Sequence, residues 1–133
     1  MKKADERYEK YQGMERIRKG WATVSRDPIQ KGDTFDHEGP AITKITRGGK
    51  VLYALGQKVK GEDGVKAEII HLEVDPNPGN MKADQAVKEG FVHLSQFCKA
   101  FSKAYDEKAL WRPAWRIECQ VHQPEGKAEP QLE

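Results

Sequence analysis

Two tryptophans and two arginines fall within six residues at Trp111-Arg112-Pro113-Ala114-Trp115-Arg116. Amphipathic side chains of these types dominate the energetic centres of protein interfaces, and their flat faces also stack on bases. Trp111, Arg112 and Arg116 are therefore the first binding candidates. Trp115 is assigned to the core by the alternation that follows it. Arg47 and Lys50 flank Gly48-Gly49 and would place two more positive charges on a hairpin tip. The first twenty residues carry seven basic side chains against four acidic ones. Tyr8, Tyr11 and Met14, with Ile17 a turn further on, recur every third residue, which predicts a charged helix with a narrow apolar stripe. Arg16, Arg18 and Lys19 at its end make it a candidate arm for nucleic acid; the ordinary role is a surface helix docked through its tyrosines.

Catalytic and metal chemistry find less support. The histidines are His37, His71, His93 and His122, and the cysteines Cys98 and Cys119. Cys119-x2-His122 has a ligand spacing only if the backbone turns between the two, whereas residues three apart on a strand face opposite sides. Buried, reduced thiols are the expected role of both cysteines, with no metal. Asp33, Asp36, His37 and Glu38 crowd one stretch and could act as an acid/base or cation-binding group, but such residues also populate solvated turns. No nucleophile elbow, dinucleotide fingerprint or phosphate-binding lysine loop occurs. No catalytic residue and no cofactor are assigned. A small hydrolase or metal-dependent enzyme built on Asp33, His37, His71 or the Cys/His set is a runner-up.

The elements that must position these residues start from a β-rich run over 41–74. Gly48-Gly49 predicts a hairpin between strands over 41–47 and 50–58, and the polar loop over 60–64 predicts a second, so the sheet reads as a meander. Val51, Tyr53 and Leu55 alternate with Leu52 and Ala54, apolar on both faces, which places that strand in the middle of the sheet. In the third strand Ala67 and Ile69 share one parity and Ile70, Leu72 and Val74 the other, which predicts a bulge at Ile69-Ile70. Upstream, a strand over 21–25 is ended by Asp27-Pro28, and a short strand over 34–36 is broken by His37-Glu38-Gly39-Pro40.

Two prolines and a glycine within 75–80 separate this β half from a helical one. Asn80 is the expected N-cap of a helix over 81–89, stopped by Gly90. Val87, Phe91, Leu94, Cys98, Phe101 and Tyr105 form a stripe that would suit one continuous helix, but Gly90 and Ser95 favour two pieces, the second over 96–107 and covering one face of the sheet. Strict alternation over 115–122 predicts a last strand with one wet face, and 123–133 reads as a disordered tail.

At 133 residues, 37% apolar, 33% charged and formally +2, the chain is expected to be one domain over 1–122, with its N-terminal helix over 1–20. The expected class is α+β: a curved antiparallel sheet of five to six strands, SH3-like half-barrel in size, with the N-terminal helix and one or two later helices packed on it. No run is long and apolar enough to span a membrane, and no export signal is evident, so an intracellular, cytoplasmic module is expected. Its charge balance disfavours a general nucleic-acid binder and an acidic nucleic-acid mimic. The sequence thus predicts a non-enzymatic binding module, a regulator or inhibitor, whose partner is another protein; RNA or DNA is the alternative.

Overall fold

A computed structural model describes residue 8 and residues 10–124. The elements run α1 (Met14–Arg18), β1 (Val24–Pro28), β2 (Thr34–Glu38), β3 (Ala41–Arg47), β4 (Lys50–Ala54), β5 (Lys58–Lys60), β6 (Lys66–Asp75), α2 (Ala83–Lys88), α3 (Leu94–Ala104) and β7 (Ala114–His122), with short 3-10 turns at Pro78–Asn80 and Glu107–Trp111. The class is α+β and, among the described residues, seven antiparallel strands are divided between two sheets, ordered β1-β7-β6-β5 and β2-β3-β4.

The meander expected over 41–74 is therefore cut in two, and β4 is an edge strand instead of a central one. The cut lies at Leu55-Gly56-Gln57. Leu55 N still donates to Thr43 O of β3, whereas Gly56 N donates to Ile69 O of β6. The chain changes sheet between consecutive residues, with Gly56 at φ +81, a conformation a side chain would strain. β6 pairs with β5 along one edge and, along the other, with β7, its long partner from the far end of the sequence.

The bulge forms where the parity change places it. Ile69 pairs with Cys119 and His71 with Glu118, leaving Ile70 unpaired and exposed. One inserted residue lets Ala67 and Ile69 before it and Leu72 after it face the same interior. That interior holds Ile17, Ile45, Val59, Ile69, Leu72, Trp115 and Ile117, with the three-stranded sheet folded over one face of the larger one.

Several boundaries differ from those expected. β1 runs through Pro28, which closes an edge strand opposite Ala114, where a missing backbone donor costs little. β2 continues through His37 to Glu38, so only Gly39-Pro40 forms the break. In the N-terminal segment Gly13 sits at φ 57 and starts α1 instead of interrupting a longer helix; residues 1–7 and 9 of the expected helix lie outside the described residues. Gln123 and Pro124 touch Gly20 and Gly64 respectively, and the remainder of the expected tail, 125–133, is also outside them.

Two helices form, as Gly90 at φ +91 dictates. α2 is capped by Lys82, not Asn80, which lies in the preceding 3-10 turn. α3 begins before Ser95 because Gln96 Oε1 reaches back to accept from the backbone N–H of Val92 and His93. Breaking the stripe at Gly90 leaves Val87 exposed and recruits Phe97, which the stripe omitted. A second core results, built from Tyr11, Met81, Ala86, Phe91, Phe97 and Phe101 and separate from the first. The helices thus meet the sheet across a polar seam, and the wet face expected for β7 is covered at Arg116, which is 6% exposed.

Trp115 joins the first core at 2% exposure and donates from Nε1 to Asp33 Oδ2 at 2.9 Å. Trp115→Ala should cost about 3 to 5 kcal/mol in urea unfolding, the range for buried large aromatics. A loss below about 1 kcal/mol would show that the site collapses around the gap.

Candidate functional site

The fold divides the eight sequence candidates by where their charges go. Arg16 is buried: its Nε and Nη2 donate to the carbonyls of Glu89 and Gly90 at 3.1 and 3.0 Å, and its guanidinium lies 4.2 Å from the Phe91 ring centroid. Arg47 forks onto Asp33, with Nε to Oδ1 and Nη2 to Oδ2 both at 2.9 Å, and Nη2 also donates to Pro28 O. Arg116 donates from Nε and Nη2 to Gln85 Oε1 at 3.2 and 2.8 Å and from Nη1 to Glu118 at 3.0 Å. These three guanidiniums hold the molecule together. Arg18 pairs with Glu15 at 3.4 Å, and Lys19 pairs with Glu62 at 3.8 Å and lies over the Trp21 ring. Lys50 and Arg112 make no side-chain ion pair among the described residues, and Trp111 is 58% exposed.

Trp111 and Arg112 end the 3-10 turn before β7. The Trp111 ring lies against Gly79, where an added Cβ would come within 3.0 Å of it, so a glycine there makes room for the indole. On the other side of the same turn a cleft of about 200 Å³ is lined by Pro28, Ile29, Tyr105, Asp106, Arg112 and Pro113. Tyr105, 43% exposed, keeps its proton at neutral pH: burial, then the charges of Asp27 and Glu89, push its pKa up to about 12. The face therefore offers apolar and aromatic walls with a guanidinium and a carboxylate beside them.

A second group was not singled out in the sequence analysis. Arg26 donates from Nε to Asp75 Oδ2 at 2.6 Å and from Nη1 to Glu89 Oε2 at 2.7 Å, and Tyr11 OH donates to Glu89 Oε1 at 2.8 Å. Burial pushes the Glu89 carboxyl up to about 7, against the opposing pull of Arg26 and Tyr11. The outer end of this network opens on a cleft of about 430 Å³ lined by Arg26, Glu73, Asp75, Lys82, Arg116 and Glu118. The strand pattern would have flagged Arg26 as a charge of the same parity as the apolar Val24 on β1, but nothing local reveals a partner 63 residues away.

The acidic stretch considered for acid/base work is not brought to one point. Asp33 is held by Arg47, Asp36 pairs with Lys44 at 3.3 Å, and His37 Nδ1 is 3.0 Å from Gly39 O. Among the described residues no three His, Cys, Asp or Glu side chains gather as a metal site. Cys98 and Cys119 are free thiols, and burial pushes Cys119 up to about 12, which leaves it without a nucleophilic thiolate at neutral pH. No helix among the described residues is long and apolar enough to cross a membrane. Compared with known proteins, the chain matches no family model, no curated protein and no solved structure.

Asp33 gives the region a pH signature. Its fork with Arg47, first among the causes, lowers its carboxyl from 3.8 to about 2, so the ion pair stabilises the fold above the ordinary carboxylate range. That contribution, about 2 kcal/mol, is lost as pH falls from about 4 towards 2. The gap in unfolding free energy between wild type and Asp33→Asn should close over this interval; a gap independent of pH would refute the linkage.

Proposed function

We propose that the chain is a small binding module for a protein partner, engaged through the turn that carries Trp111 and Arg112 together with the cleft beside it that Arg112 and Tyr105 line. The observation that carries this reading is the contrast among its arginines: Arg16, Arg47 and Arg116 are committed to internal acceptors, whereas the Arg112 side chain has no acceptor among the described residues and adjoins an exposed tryptophan. An exposed indole beside a guanidinium offers the two side-chain types that lead interface hot spots. The cleft walled by Pro28, Ile29, Tyr105 and Pro113 suits an apolar or proline-bearing side chain of an extended segment, with Arg112 and Asp106 beside its backbone. Nucleic acid fits this face less well, since Asp106 and Glu107 border it and offset Lys108 and Arg112. The role is that of a regulator or inhibitor acting by contact instead of catalysis.

The test is to retrieve the partner on immobilised protein, identify it by mass spectrometry, and measure its affinity for variants with native circular dichroism. Trp111→Ala and Arg112→Ala should each weaken binding by about 1 to 2 kcal/mol or more. Full affinity in both folded variants would move the interface elsewhere, and retention of nucleic acid absorbing at 260 nm in place of a protein would favour the other partner class.

A further inference from the structure

The 430 Å³ cleft between β6, β7 and the entry to α2 is balanced in charge, with Arg26, Lys82 and Arg116 facing Glu73, Asp75 and Glu118. It is not balanced in hydrogen bonding. Asp75 uses Oδ2 for Arg26 and Oδ1 for the backbone N–H of Asn77, and Glu118 Oε1 accepts from Arg116. Glu73 Oε1 lies 2.8 Å from His71 Nε2, and its Oε2 is 3.8 Å from Arg116 Nε. The acceptors therefore already face donors.

The donors are in surplus. The Arg26 side chain is 3% exposed, with Nε and Nη1 bonded, yet Nη2 has no acceptor among the described residues. Among the described residues no buried side-chain nitrogen or oxygen lacks a partner, so Nη2 is not sealed off, and Arg26 lines the cleft. Arg26 and Arg116 are direct cross-strand partners on β1 and β7, so their guanidiniums rise from adjacent points of one sheet face. Both are fixed in place by carboxylates or by Gln85, which removes most of the entropy cost of ordering a long side chain around a ligand. Lys82 stands exposed at the rim with no ion pair among the described residues.

A ligand for this cleft must bring acceptors. It should also bring little net charge, because the three carboxylates lining the walls would repel a dianion about as strongly as the three cations attract it. We propose that the cleft binds a carboxylate group, seated on Arg26 Nη2 and the outer edge of Arg116, with Lys82 closing the mouth. A single negative charge spread over two oxygens matches two neighbouring guanidinium edges, the pairing that arginine favours over a point cation. The carboxylate can be that of a small organic acid or the C-terminus of a peptide, for which Val74, Pro76 and Met81 along the same cleft offer apolar contact to the preceding side chain.

The test uses the full chain labelled with 15N at arginine, followed by the side-chain Nε–H resonances while sodium acetate is titrated against sodium chloride at constant ionic strength. Saturable shifts at Arg26 and Arg116 that chloride does not reproduce are expected, with acetate binding on the order of millimolar. Lys82→Ala, which removes an exposed side chain with no ion pair among the described residues, should weaken that binding about threefold to tenfold in a variant with native circular dichroism. N-acetyl-Ala-Leu with a free C-terminus is compared with its C-terminal amide. Tighter binding of the free acid than of acetate assigns the site to a peptide terminus; equal binding assigns it to small acids. Shifts that are linear, that chloride matches, or that saturate equally with the amide would overturn the proposal, as would unchanged acetate affinity in Lys82→Ala.

Discussion

The Arg26–Glu89 ion pair is the interaction on which the rest of the structure depends. The molecule has two apolar cores, one between the sheets and one among the helices, and they share no buried side chain. Across the seam between them lie two charges, 3% and 0% exposed, 2.7 Å apart. Removing such charges from water costs several kcal/mol each, and mutual attraction recovers this only when the remaining lone pairs and protons are satisfied. Here most of them are: Asp75 accepts from Arg26 Nε, Tyr11 donates to Glu89, and the backbone N–H of Arg26 donates to Tyr11 OH, which leaves Arg26 Nη2. The seam therefore fixes one relative placement of helices and sheet, where an apolar seam would tolerate sliding.

The buried Arg16 and Arg116 and the half-buried Arg47 extend the same logic. Arg16 ties α1 to the turn after α2 through two backbone carbonyls, and Arg116 ties β7 to α2 through Gln85. Arg47 ties β3 to the β1–β2 connection through Asp33, which also receives the Trp115 indole N–H. A chain this short has limited apolar surface to bury, and forked guanidiniums that bridge distant elements supply specificity where packing alone would be degenerate. Functional surface is then what this framework leaves over: the Trp111–Arg112 turn, where Trp111 is exposed, and the cleft that Arg26 lines. The two differ in kind, one apolar with few charges and suited to a polypeptide surface, the other polar and suited to a small ionised group.

Local devices shape the sheets around this framework. The bulge at Ile70 lets a ten-residue strand serve one core with both parities, and Gly56 passes the chain from one sheet to the other without an intervening loop. Each works by a backbone conformation instead of a contact, which is why each is marked by so few residues.

The sequence by itself determined what depends on near neighbours. The Gly48-Gly49 hairpin, the parity break at Ile69-Ile70, the helix stop at Gly90 and the inward set Trp115, Ile117 and Cys119 all follow from spacing and φ preference, which act within a few residues. The exposure of Trp111 was legible too, since it stands outside the register that Trp115 begins. What only the tertiary structure decided was pairing at a distance. β6 pairs with β7 along one edge and with the short β5 along the other, while β4 stays with β3, so the meander is cut at Gly56 and β4 lies at an edge. The arginines look alike along the chain, yet whether each faces a carboxylate, a carbonyl or water depends on residues far away in sequence, such as Glu89 for Arg26 and Asp33 for Arg47. Periodicity records which side of an element is buried; it carries no record of which charge waits on the other side.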